Sequence, residues 1–269
     1  MAIVKGFEQM TGSMQGVSFY TRRGSDKVIM RTKGGATKEQ IARSPRFENS
    51  RKQNKEFGGC AKFASKTRCA FGGLHSLADY NLTPVLTGIG KSLMKLDSTS
   101  EVGKRTVILS EHKDALKEFN FNRNYPFNTV LCVSPQWVLD RETLQAVVTV
   151  PRINTDVDLL NIRKLPFFRL IVAIGTVSDM VFNQAKDQYE PMVAELNGAS
   201  RTVAGDWNST QMILPEQIMT VQMPASQIGF LTDNVSVLLS MAIEFGNTGF
   251  TGQPVEVKYA GCGKVIAVE

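Results

Sequence analysis

The chain is poor in the residues that carry most catalysis and metal binding. Its 269 residues include only two histidines, His75 and His112, and four cysteines. Neither histidine has a second histidine or a cysteine at ligand spacing, so no metal ligand and no imidazole base is indicated. Cys60, Cys69, Cys132 and Cys262 contain no C-x-x-C pair. That excludes a zinc ribbon, a dithiol redox motif and a dense disulfide framework. They read as free thiols in a reducing compartment. Long apolar runs are also missing. The longest, Phe167 to Val177, is interrupted by Arg169 and is too short to cross a bilayer. The opening Met1 to Glu8 lacks the apolar core of a signal peptide. The expected location is the cytoplasm, or a particle assembled there, with no membrane contact.

Enzyme motifs are equally scarce. No G-x-S-x-G nucleophile elbow occurs. Thr87-Gly88-Ile89-Gly90-Lys91-Ser92 ends like a phosphate-binding loop. However, Val85 stands where that loop needs glycine, and Asn81-Leu82-Thr83-Pro84 stands where it needs a buried strand. Asp179, Asp187, Glu190 and Asp206 lie near one another in sequence, but no spacing selects a catalytic pair. The chain is therefore expected to be a non-enzyme, without cofactor, metal or catalytic residue.

What is present is an uneven charge. Residues 1–70 hold 15 Lys or Arg against 5 Asp or Glu, a net of +10; residues 71–269 hold 16 against 20, a net of −4. Such a basic segment seeks an anionic partner, either nucleic acid or the surface of another subunit. The candidate contact residues are Arg22, Arg23, Lys27, Arg31 and Lys33 on a hairpin, then Arg43, Arg46, Arg51, Lys52 and Lys55 along a helix start. Phe19 and Tyr20 could add stacking.

The patterning changes along the chain. Val17–Arg22 and Lys27–Arg31 flank Arg23-Gly24-Ser25-Asp26, a hairpin signal whose second face carries Ser18, Arg22, Lys27 and Arg31 beside Tyr20 and Ile29. Thr37 with Gln40 fits a capping box, and Ser44-Pro45 fits a helix start. Beyond it, Phe47, Phe57, Ala61, Ala64 and Phe71 can form an apolar stripe, with Gly58-Gly59 as a kink or break. A second helical piece spans residues 74–96 with a break at Pro84. Ser110 could cap a short helix. From residue 129 the period becomes two: 129–133, 144–150, 167–174, 217–223, 235–245, 254–259 and 264–268 read as strands. The expected fold is α+β: an N-terminal β-hairpin and basic helical segment over 1–125, then an antiparallel β-sandwich over 126–269.

Gly12-Ser13-Met14-Gln15-Gly16-Val17-Ser18-Phe19-Tyr20, then Arg31-Thr32-Lys33-Gly34-Gly35, then Arg51, Asn54, Glu56, Phe57 and Gly58, resemble a family of uncharacterised Bacteroidetes proteins. That family shows G-x-x-G-x-x-x-F-Y, R-x-K-G-G and R-x-x-x-E-F-G; this chain spaces Arg51 and Glu56 one residue wider. Phe168–Ala173, Ser178-Asp179 and Ile243–Phe245 look like its C-terminal half. The family has no established activity, so the resemblance transfers no functional residue. The opening also looks loosely like small proteins of phage and mobile-element regions.

These features point to a structural, self-assembling protein, a virion-like shell or filament subunit whose basic segment docks on a neighbour. The expected partners are further copies of the chain. Nucleic-acid binding through the same residues is the alternative, and a carbohydrate-binding sandwich using Trp137 and Trp207 a third reading.

Overall fold

The alternating sequence at each end of the chain is strand in the computed structural model, which describes residues 3–4, 10–22, 27–32 and 34–269, with residues 3, 4 and 10 described by backbone alone. Its contacts define two compact units, Met1–Arg51 and Lys52–Glu269. The division falls in the first turn of a helix, whereas the sequence pattern suggested 125/126.

The first unit is a four-stranded antiparallel sheet in chain order: β1 (Ile3–Val4), β2 (Met10–Met14), β3 (Val17–Thr21) and β4 (Val28–Thr32). The hairpin of the sequence reading is β3–β4; its turn, 23–26, lies outside the described residues. Helix α1 (Lys38–Arg43) follows, opened by the reciprocal capping box in which Gln40 N–H donates to Thr37 Oγ1 (3.2 Å) and Thr37 N–H to Gln40 Oε1 (2.9 Å). Pro45 then starts a 3₁₀ turn.

Helix α2 (Glu48–Ala70) runs unbroken through Gly58-Gly59. Its buried stripe is Glu56, Gly59, Cys60, Phe63, Ala64, Thr67 and Ala70, while Phe57 is 64% exposed. Of the expected stripe, Ala64 and Phe71 are buried, while Phe57 and Ala61 give way to Glu56 and Cys60. The cause is Gly59: the ring of Tyr189 packs where its Cβ would stand, so the bare glycine face turns inward. Helix α3 (Leu82–Leu96) is capped by Asn81, and Pro84 sits in its first turn, where no N–H is missed. The expected break at Pro84 comes earlier, between the 3₁₀ turn Leu74–Leu77 and α3. Gly90 lets α3 approach Phe63 and Cys60 of α2.

The strand expected over 129–133 does not form: its first two residues close the short helix α4 (Phe127–Val130), which buries Phe127 and Val130 one turn apart. The strands after it are β5 (Gln136–Asp140), β6 (Gln145–Val150), β7 (Ile153–Asn154) and β8 (Phe167–Ser178). Next come β9 (Met180–Asn183), β10 (Gln188–Pro191), β11 (Ser200–Ala204), β12 (Asn208–Ser209), β13 (Ile213–Leu214) and β14 (Gln217–Gln222). The short helix α5 (Ala225–Ile228) precedes β15 (Val235–Thr248) and β16 (Pro254–Val268). Two antiparallel sheets dominate, β11-β8-β15-β16 and β14-β6-β5.

The period-two rule explains how they stack. On β8, Phe168, Leu170, Val172 and Ile174 meet the smaller sheet's Ala146, Val148, Met219 and Val221 in one core. The alternate residues Ile171, Ala173 and Val177 join Phe63, Phe71, Leu86 and Met94 of the helices in a second core. The larger sheet is thus a middle layer between helices and a second sheet. This is why 167–177 reads as a continuous apolar run. Its helix-facing residues are small at the closest approaches. A Cβ on Gly175 would overlap the Ala70 carbonyl oxygen, and one on Gly263 would stand 2.8 Å from the Phe121 ring.

Candidate functional site

In the first unit, no residue with a described side chain is buried. A sheet this size needs one covered apolar face to stand alone. Register separates the sheet's two faces. Met14 opposes Val17, Val17 opposes Thr32, Phe19 opposes Met30 and Thr21 opposes Val28. All share one uncharged side, on which Met14 is 52% and Met30 68% exposed while Val17, Phe19 and Val28 are half-buried. The other side carries Ser13, Ser18, Tyr20, Ile29 and Arg31. The polar and basic face expected from the sequence exists, backed by an open apolar one.

The ten candidate residues separate into different roles. Arg22 and Arg31 are exposed on the basic face, and Lys27 is exposed just before β4. Arg23 and Lys33 lie outside the described residues. Arg43 is exposed in the last turn of α1, and Arg46 is exposed in the following 3₁₀ turn. Arg51 is half-buried and occupied: its guanidinium donates to Ile41 O and Ser44 O, both at 2.8 Å, closing the end of α1. Lys52 and Lys55 belong to the second unit. Lys52 is half-buried; Lys55 pairs with Asp187 at 2.5 Å and lies 5.5 Å from the Phe182 ring centre. Further along α2, Lys62 donates to Tyr189 O and Arg68 to Thr83 Oγ1. The helix's basic face is therefore partly spent inside its own unit. Counted by unit, residues 1–51 hold 10 basic and 4 acidic residues and residues 52–269 hold 21 of each, so the whole net charge of +6 resides in the first unit. The second unit is neutral rather than acidic.

The most strongly paired charges escaped sequence reading. Glu56, fully buried, accepts from Arg105 Nε and Nη2 at 2.7 Å each, from Gly103 N–H at 2.9 Å and from Lys91 at 2.5 Å. Burial alone would push its carboxyl up, but the Arg105 fork, the Gly103 N–H and the Lys91 ammonium outweigh it and hold it at about 2. The lysine of the apparent phosphate loop is thus half of an internal ion cluster, and Thr87–Ser92 lies wholly within α3. Asp179 is also buried, which pushes its carboxyl up despite bonds from Ser110 Oγ, Ser110 N–H and Leu109 N–H. Asp187 is paired with Lys55, and Glu190 with Lys186 and Asn183. Three of the four carboxylates grouped in sequence thus take separate partners. Trp207 stacks at 4.5 Å on Arg169, which pairs with Glu244; it is packing, not an open platform.

An open groove of about 740 Å³ runs along α3 past Ile89, Leu93 and Leu96 to Glu111 and His112. Among the described residues no cluster of three or more potential metal ligands occurs, and no helix is long and apolar enough to cross a membrane. All four cysteines are free thiols.

A scan of protein-family models, of curated proteins and of solved structures finds no match to this chain. What the fold itself defines is a class: a mixed α+β protein with an N-terminal strand hairpin, a long helix and a body of antiparallel sheets.

Proposed function

We propose that this is a non-enzymatic, self-assembling structural protein, a phage-like or mobile-element shell or filament subunit, whose N-terminal sheet docks on a neighbouring copy. The observation that carries this reading is the first unit without a buried side chain: an amphipathic sheet holding the chain's whole net charge and showing an uncovered apolar face. Covering that face gains roughly 5 kcal/mol at the usual return on buried apolar side chains. Association costs about 4–15 kcal/mol. A single contact is therefore weak, and contacts repeated around a closed or extended array stabilise what one pair does not.

Sedimentation velocity of the full chain over a wide concentration range tests this. The expected result is growth from monomer to large species as concentration rises. A single monomer boundary at every concentration and at low salt would contradict it. The basic face supports a second reading. Arg31 lies on the same side as Tyr20, which is 39% exposed, a cation–aromatic surface suited to single-stranded nucleic acid. Under that reading an oligonucleotide binds with affinity falling steeply as salt rises, and Arg31→Glu removes the binding; flat anisotropy at low salt excludes it.

A further inference from the structure

The body shows a second uncovered surface, and its chemistry matches the apolar face of the N-terminal sheet. The smaller sheet buries one face in the core and presents the other in three rows. Gln136, Thr149 and Ile218 form the first, Val138, Val147 and Thr220 the second, Asp140, Gln145 and Gln222 the third. Val138 is 69% and Ile218 68% exposed. No cation sits on this face. At the Asp140 end, Glu142 is exposed while Arg141 is drawn away to Thr232 O and Glu269 O. At the other end both Glu216 and Arg152 are exposed. The outer strand β5 pairs only with β6 among the described residues, and it carries neither the lysine nor the proline that usually guard an open edge.

We infer that this face is the seat for the N-terminal sheet of a second copy, apolar side against apolar side. Three features select that occupant. The N-terminal sheet has the one charge-free, uncovered face of matching secondary structure described in its unit. Its unit carries the positive charge that answers Asp140 and Glu142. Face-to-face stacking of two sheets is a standard way of covering both.

This inference rests on the assembly reading, and the experiment separates the two. Two variants are made in a Cys69→Ser, Cys132→Ser background, one carrying Met30→Cys and the other, with a tag, Val138→Cys. They are mixed and treated with a short bismaleimide. The expected product is a tagged–untagged crosslink whose yield rises with concentration, and adding Ile218→Lys to the Val138→Cys chain lowers that yield about ten-fold, because a lysine loses its water there. Ile218 is exposed, so unchanged thermal unfolding of the lysine variant is expected alongside. If sedimentation shows large species but this pair does not crosslink, the seat is wrong and the assembly reading stands. If the two cysteines crosslink within one doubly substituted chain at high dilution, the occupant is the chain's own arm and the inference is overturned. If the chain is monomeric throughout, both fail.

Discussion

Gly175→Val is expected to yield no folded protein. The Cβ of any residue at 175 would overlap the Ala70 carbonyl oxygen and lie 2.6 Å from its carbon. Both are backbone atoms at the end of α2, so no rotamer change relieves the clash. The helix end would have to lift from the sheet, separating Phe71 and Leu74 from Ile171, Ala173 and Val177 in the second core. Opening a packed core costs more than about 4 kcal/mol, against a total stability of about 5–15 kcal/mol. Gly58→Ala is the control. Gly58 lies in the same helix with nothing near its missing Cβ, so alanine there should stabilise by about 0.5–1 kcal/mol. Thermal unfolding followed by circular dichroism distinguishes them: a higher midpoint for Gly58→Ala, no cooperative transition for Gly175→Val. A normal transition in Gly175→Val would mean that α2 does not rest on β8.

Glu56→Gln is expected to cost about 3–5 kcal/mol, because Arg105 and Lys91 lose the buried charge that pairs them. The same cluster sets a pH dependence. Glu56 titrates at about 2 in the folded chain against 4.5 ordinarily. Its folded carboxyl is depressed, so the stabilisation is fully present above about 4.5 and is lost as pH falls toward about 2, in total about 3 kcal/mol. Asp97, which accepts bonds from the N–H groups of Thr99, Ser100 and Thr106, is likewise depressed and adds in the same direction. Asp179 is raised by burial and acts oppositely. Urea unfolding at stepped pH should show the wild-type midpoint falling through this window, and the Glu56→Gln curve should be both lower and flatter. Parallel curves would assign the acid sensitivity elsewhere.

The strands were legible because their cause is local. The 235–245 alternation, the apolar 167–174 run and the Thr37–Gln40 box each carry their signal within a few residues, and all three form. Layering was not legible. Ser236, Ser240 and Glu244 look like a solvent face of β15, yet all are buried, because helices far away in sequence cover that side. The stripe of α2 was right at Ala64 and Phe71 but missed Glu56 and Cys60, because Tyr189, more than a hundred positions later, packs on Gly59 and turns that face of the helix inward. The basic candidates divided for the same reason. Arg22 and Arg31 lie on a sheet face whose two sides follow from strand alternation. The partners of Arg51 and Lys55 are made only by folding, as are those of Glu56, which nothing in its neighbourhood distinguishes from a solvated glutamate.

The account depends on the N-terminal sheet borrowing its cover from a neighbour. Hydrogen–deuterium exchange of the full chain, compared between dilute and concentrated protein, reads this directly. In dilute protein the amides of β3 and β4 should exchange rapidly while those of β8 and β15 stay protected, and concentration should slow β3 and β4 alone. Protection of β3 and β4 matching that of β15 in dilute protein, with no response to concentration, would show a sheet that is stable by itself and contradict the account.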